Sequence, residues 1–166
     1  MNAKTFHILF VCTGNSCRSP MAEGLLKAML PPEYKDKVVV HSAGTLGLEG
    51  YPATDFAIQV ANDYGADISQ HRSQGLSEKM LKDMDIIFAM APDHKRILQN
   101  YFPEIRENVF LLRSFGRHPE EEYVDDIEDP IGASLEVYQK CGEIIDAELK
   151  RILSRLMQLV KEKVER

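Results

Sequence analysis

The sequence predicts an α/β fold, a three-layer α/β/α sandwich built on a four-stranded parallel sheet. Short apolar runs of strand length alternate with segments of helical period along the chain, the pattern that successive strand-helix units produce. The apolar runs are nearly continuous, as strands covered on both faces are. Toward the C-terminus, Tyr138, Cys141, Ile145, Leu149, Ile152, Leu156 and Val160 recur at three- and four-residue steps, the single apolar stripe of one long helix.

Each element has its own signals. His7 to Val11 reads as a buried strand, followed by a helix from Met21 to Leu30 with Ser19 as N-cap, Pro20 at its first position and Pro31-Pro32 ending it,. Val38 to His41 is the second strand. From Ala53 to Tyr64, Phe56, Val60 and Tyr64 lie four apart, and Gly65 closes the helix,. A short helix from Ser77 leads to a third strand, Asp85 to Ala89, then a helix from Pro92 to Gln99 and a fourth strand, Val109 to Leu112. A polar, acidic loop spans roughly residues 113–132. The terminal helix starts near Ala133 and is expected to fray from Lys161 to Arg166.

Chain length and composition limit the function. With 166 residues and 44% hydrophobic content, the chain suits one domain, taken as 1–166. A net charge of −6 argues against a general nucleic-acid or anionic-membrane binder, which needs clustered Lys and Arg. Three cysteines do not make a disulfide framework, and no apolar run reaches signal-peptide or membrane-span length,. A cytoplasmic setting is the expectation, and the oligomeric state is left open.

The chemistry concentrates in FVCTGNSCRSPMAEG, Phe10 to Gly24. In a parallel sheet, ligands sit at the carboxyl ends of the strands, and Cys12 ends the first one. Between this strand and the next helix, the backbone N–H groups of Thr13, Gly14, Asn15, Ser16, Cys17 and Arg18 can turn inward. With the helix N-terminus behind them they make a cradle for a phosphate-like dianion. Gly14 and Asn15 tolerate the left-handed conformations that a tight cradle uses. A thiol at its mouth is expected to have a lowered pKa, and Arg18 brings a planar fork for two oxygens. The arrangement points to a nucleophile aimed at phosphorus. No G-K-[ST] is present, so this is not a nucleotide-hydrolysing loop.

The stretch CTGNSCRSPMAEG resembles the C-x5-R-S-P signature of the low-molecular-weight protein-tyrosine phosphatase family. Ser42-Ala43-Gly44 after the second strand, His71-Arg72-Ser73 and Asp129-Pro130 stand where that family has counterparts. The resemblance implies that Cys12 forms a phosphocysteine intermediate and that Arg18 holds the equatorial oxygens. Asn15, Ser19, Ser42 and His71 would support the loop, although Ser42 and His71 also read as ordinary turn residues. A leaving group of high pKa needs an acid from elsewhere. Of Asp125, Asp126, Glu128 and Asp129, the family pattern selects Asp129, and Pro130 biases its backbone toward extended geometry. The implied partners are a phosphorylated protein as substrate and inorganic phosphate as product, with no metal and no cofactor.

Departures from the family bear on substrate. Tyrosine-specific members wall the cleft with aromatic residues, where this chain has Leu48, Ile131 and Gly132. Losing such ring contacts would forgo about 0.5–1.5 kcal/mol per pair. Ser16 stands where tyrosine-specific relatives carry an aliphatic residue and protein-arginine phosphatases carry threonine, and DPIGAS is also similar to the arginine-phosphatase acid loop. Phosphotyrosine is the expected substrate, with phosphoarginine as the alternative. The loop also resembles that of arsenate reductases, but Phe88 to Pro92 lacks the further thiols that chemistry needs. Cys141 reads as core. Cys17 is either a small buried filler or a partner able to cap Cys12 reversibly in a disulfide.

Overall fold

The computed structural model describes residues 4–166. Four strands, β1 (Phe6–Cys12), β2 (Val38–Gly44), β3 (Ile86–Ala89) and β4 (Val109–Leu111), form one parallel sheet in the order β2-β1-β3-β4. Among the described residues, five helices cover it: α1 (Arg18–Met29), α2 (Asp55–Asp63), α3 (Glu78–Lys82), α4 (Pro92–Tyr101) and α5 (Leu135–Val164). Short 3-10 turns at Pro32–Tyr34 and Pro103–Asn108 join the layers.

The layering follows from strand alternation on β1. Phe6, Ile8 and Phe10 face a core shared with Met21 and Leu25 of α1, Val60 of α2 and the stripe of α5. Leu9 and Val11 face a second core with Leu81 and Leu98. Both faces are apolar because a central parallel strand has helices above and below it. Among the described residues, no helix is long and apolar enough to cross a membrane.

Three expectations need correction. Strand β2 runs on to Gly44, so Ser42, Ala43 and Gly44 pair with Phe10, Val11 and Cys12 instead of following the strand. Helix α1 begins at Arg18 with Cys17 as N-cap, and Ser19 lies inside its first turn. The Ser19 hydroxyl is committed to other partners, and Pro20 is tolerated at the third position because first-turn N–H groups have no helical acceptor. Helix α5 does not fray at Lys161. It continues to Val164, where Lys163 Nζ lies 2.8 Å from both carboxylate oxygens of Asp85.

The segment between β4 and α5 is pinned at both ends. Arg113, Arg117 and Arg151 converge on buried Glu148 of α5, at 3.1 Å from Arg117 Nη2 to Oε1 and 3.2 Å from Arg151 Nε. Arg151 also donates to the carbonyls of Phe115 and Leu112. At the far end, Ile127 is fully buried, and its N–H donates to the Met90 carbonyl at 3.1 Å. Glu148→Ala leaves three guanidinium groups around a site without its anion, so a loss of about 3–5 kcal/mol is expected. Urea unfolding checks this: the midpoint should fall with the slope unchanged, and a parental midpoint would mean that the arginines find equal partners in water.

Candidate active site

Residues 13–17 leave the end of β1 and curl back into α1, so that loop and helix N-terminus face one pocket at the carboxyl ends of the strands. Asn15 takes the turn with φ 56°, while Gly14 keeps a negative φ, so only one of the two expected residues is left-handed. Gly44 is required on the other side. A Cβ there would stand 2.6 Å from the Thr13 carbonyl oxygen and 2.9 Å from the Asn15 nitrogen, a close approach that only glycine allows. Through it, β2 grips the loop: Thr45 N–H donates to the Cys12 carbonyl and Leu46 N–H to that of Thr13.

Behind the loop runs an ordered chain of donors. The Asn15 carbonyl oxygen Oδ1 accepts from the Gln74 N–H at 3.0 Å, which fixes the amide, and its Nδ2 donates to Ser19 Oγ at 2.8 Å and Ser42 Oγ at 3.0 Å. Ser42 passes its own proton to Glu23 at 2.7 Å. Ser19 Oγ lies 2.9 Å from Cys12 Sγ. With Asn15 donating to Ser19, the arrangement that uses every proton places the Ser19 O–H on the sulfur. His71 Nε2 donates to the Asn15 carbonyl at 2.7 Å. All four residues named for support therefore meet here. The Asn15 side chain is fully buried in this network, while its backbone N–H faces the Cys12 sulfur.

Cys12 itself departs from expectation. Burial pushes its thiol up from the ordinary value, and this outweighs the Ser19 hydroxyl and N–H, the Arg18 guanidinium and the Asn15 N–H, which all pull it down. The donors a thiolate needs are present, but the sequence does not show how fully the sulfur is enclosed, and enclosure disfavours charge.

Arg18 is buried and reaches three ways. Its Nη1 donates to the Ile127 carbonyl at 2.8 Å, its Nη2 to Thr13 Oγ1 at 3.1 Å, and Nη2 stands 3.4 Å from Asp129 Oδ2. Its Nε is buried without a hydrogen-bond partner. An unsatisfied guanidinium N–H beside loop amides is a donor reserved for an anion. Asp129 Oδ1 accepts from the Ile131 N–H at 3.1 Å, so the acid loop presents its carboxyl at the pocket rim.

The pocket holds about 260 Å³ and is lined by Cys12, Thr13, Gly14, Ser16, Cys17 and Arg18, by Asp129, and outside by exposed Leu46, Leu48 and Ile131. A larger hollow of about 690 Å³ lies near Phe6, Phe110, Phe115 and the Asp85–Lys163 pair. No cysteine lines it, whereas Cys12 and Arg18 both line the smaller one. Cys17 Sγ is 3.2 Å from the Tyr138 hydroxyl, and Cys12, Cys17 and Cys141 are free thiols. Burial raises Cys141 to about 12, as suits a core position.

Leu46, Thr54, Tyr138 and His94 also reach the site but were not foreseen. Leu46 was within reach, two residues before Leu48 in the same loop; the others carry no local signal. His94 is buried, with Nε2 2.9 Å from Thr13 Oγ1 and Nδ1 unpartnered. Burial and the Arg18 charge lower its pKa to about 4. Between about pH 6.5 and 4 the unfolded chain binds a proton that the folded chain refuses, so stability should fall with pH across that window by up to about 3 kcal/mol. Urea midpoints from pH 7 to 4 should drop less steeply in His94→Gln than in the parent. Equal slopes would assign the acid sensitivity to other groups.

A buried sulfur under a donor cradle, with an arginine inside and a carboxyl at the rim, on a parallel sheet, defines a cysteine-dependent phosphatase. The family model described as low molecular weight phosphotyrosine protein phosphatase matches residues 7–165. This chain belongs to that family. It is 33% identical over 151 residues to a protein-arginine-phosphatase of Bacillus subtilis, covering 90% of this chain and 95% of the relative. It is 36% identical over 152 residues to the probable low molecular weight protein-tyrosine-phosphatase EpsP of Ralstonia nicotianae, covering 92% and 97%. Among solved structures it is similar to the low molecular weight protein tyrosine phosphatase of T. tengcongensis, with TM-score 0.79 and 39% identity over 91% of this chain and 99% of that one. A mutant of the YwlE arginine phosphatase with a phosphorylated active-site serine superposes with TM-score 0.80 and 32% identity, covering 92% of this chain and 96% of that one.

Proposed function

We propose that this phosphatase hydrolyses phosphotyrosine in proteins, with Cys12 as nucleophile, Arg18 as phosphoryl clamp and Asp129 as acid and base. The observation that carries the reading is the convergence on Cys12 of the Asn15-to-Ser19 proton chain, with the unpartnered Arg18 Nε alongside. The N-terminal dipole of α1 adds to the contacts that stabilise the thiolate against the cost of its burial,. Cys12 sulfur attacks phosphorus, an S–P bond forms, and the departing phenolic oxygen takes the Asp129 proton. Water then attacks phosphorus, Asp129 recovers a proton from it, and phosphate leaves the free thiolate. The phosphoserine in the related enzyme supports a phosphoenzyme of this kind. A bound dianion competes with Asp129 for Arg18 Nη2, 3.4 Å away, and so frees the carboxyl for the leaving group. Three free thiols fit a cytoplasmic setting,, and the family match over residues 7–165 fits one domain.

A second reading, phosphoarginine, is favoured by one observation: no aromatic ring lines the pocket, whose walls are Leu46, Leu48 and Ile131 with the Ser16 hydroxyl inside. Rates on matched phosphotyrosine and phosphoarginine peptides decide between them, with Ser16→Ile alongside. The expected result is faster turnover of phosphotyrosine in the parent, with Ser16→Ile changing that rate by no more than about fivefold, since one half-buried neutral hydroxyl contact is worth about 1 kcal/mol,. Faster turnover of phosphoarginine, lost in Ser16→Ile, would establish the second reading instead.

A further inference from the structure

We propose that His94 is a positioning residue for phosphate capture, holding the Thr13 hydroxyl so that its oxygen accepts from Arg18 and sets the guanidinium plane. The inference rests on the phosphatase reading above and deepens it. Three distances carry it: His94 Nε2 to Thr13 Oγ1 at 2.9 Å, Arg18 Nη2 to Thr13 Oγ1 at 3.1 Å, and Arg18 Nη1 to the Ile127 carbonyl at 2.8 Å.

A guanidinium is planar, so two fixed nitrogens fix the third. With one N–H of Nη1 held by Ile127 and one of Nη2 by Thr13, the plane is set and the Nε–H has one direction; Nε is the buried guanidinium nitrogen with no partner,. A threonine hydroxyl rotates freely unless its proton is placed. His94 places it. The imidazole is anchored at the start of α4, where the His94 N–H donates to the Ala91 carbonyl at 3.1 Å, and only 3% of the residue is exposed. The charges facing it are Arg18 from the start of α1, Asp93 from its own helix and Asp129 from the loop before α5. Beside a guanidinium the neutral imidazole is favoured, so the residue directs the hydroxyl without adding a second cation to the clamp. Helix α4 thereby acts on the catalytic loop through one side chain.

The test combines inorganic phosphate binding, by calorimetry, with kcat and KM on an aryl phosphate for the parent, Thr13→Val, His94→Leu, His94→Gln and the Thr13→Val/His94→Leu double variant. Each of Thr13→Val and His94→Leu is expected to weaken phosphate binding and lower kcat/KM about tenfold, the worth of one charge-assisted hydrogen bond. The double variant should be no worse than either single one by more than about threefold, because both remove the same link. His94→Gln, whose side-chain amide can bond the Thr13 hydroxyl, should recover most of the loss. Multiplying losses in the double variant, parental phosphate binding in folded His94→Leu, or a His94→Gln no better than His94→Leu would each overturn the inference. If the parent turns over no phosphomonoester, the proposed function fails by itself, and the phosphate affinities still decide the role of His94.

Discussion

Cys12→Ser is expected to lower turnover of every phosphomonoester by at least about 10⁴-fold, the scale on which removal of a covalent nucleophile acts. The substitution is nearly isosteric, and Asn15, Ser19, Ser42 and His71 keep one another in place without the sulfur. What changes is the charge: a hydroxyl in the same enclosure stays protonated, and the cradle then has no anion to direct at phosphorus. Inorganic phosphate should bind to the variant within a few-fold of the parent or better, because a neutral oxygen no longer repels the dianion. A variant that retains more than about 1% of the parental rate would show that another group attacks phosphorus. Alkylation rate against pH gives the complementary measurement, since burial and the loop donors act on the thiol in opposite directions.

Arg18→Lys is expected to cost about 10³-fold in kcat/KM, roughly 4 kcal/mol of transition-state stabilisation. Charge is conserved, so a purely Coulombic clamp would lose little. The guanidinium, however, serves the Ile127 carbonyl, Thr13 Oγ1 and the neighbourhood of Asp129 at once and keeps Nε in reserve. One ammonium group cannot reach these in the same plane. The lysine variant should also loosen the acid loop, because the Ile127 carbonyl loses its buried donor, so kcat should fall as well as KM rise. A loss below about tenfold would show that charge alone does the work and would remove the geometric argument for the clamp.

How much of this was legible beforehand depends on how local each signal is. The alternation of strands and helices was legible because strand runs such as His7 to Val11 and the α5 stripe encode their burial in consecutive residues. The loop from Cys12 to Arg18 was legible for the same reason, since a cysteine, a turn of backbone amides and an arginine lie within seven residues. The place of Ser19 in the first turn of α1 was not legible, because a serine before a helix has the composition of a cap whatever its hydroxyl bonds. The end of β2 was cut short, because polar Ser42 and small Gly44 do not look like strand, although their pairing with Phe10 and Cys12 holds them in it.

By itself, the order of residues determined the sheet, the layers around it and the placing of Cys12 and Arg18 in one loop, while the preference for Asp129 among four acidic residues rested on the family resemblance. Tertiary structure alone decided that Asn15 faces backward, that Gln74 orients its amide, and that Glu148 gathers three arginines. It also decided that His94, 81 positions from Thr13, meets it and that enclosure works against ionisation of the sulfur. The reason is physical. Propensity and periodicity act between neighbours along the chain, whereas desolvation and hydrogen-bond partnership depend on which distant segments close over a group, and that exists only once the layers have packed.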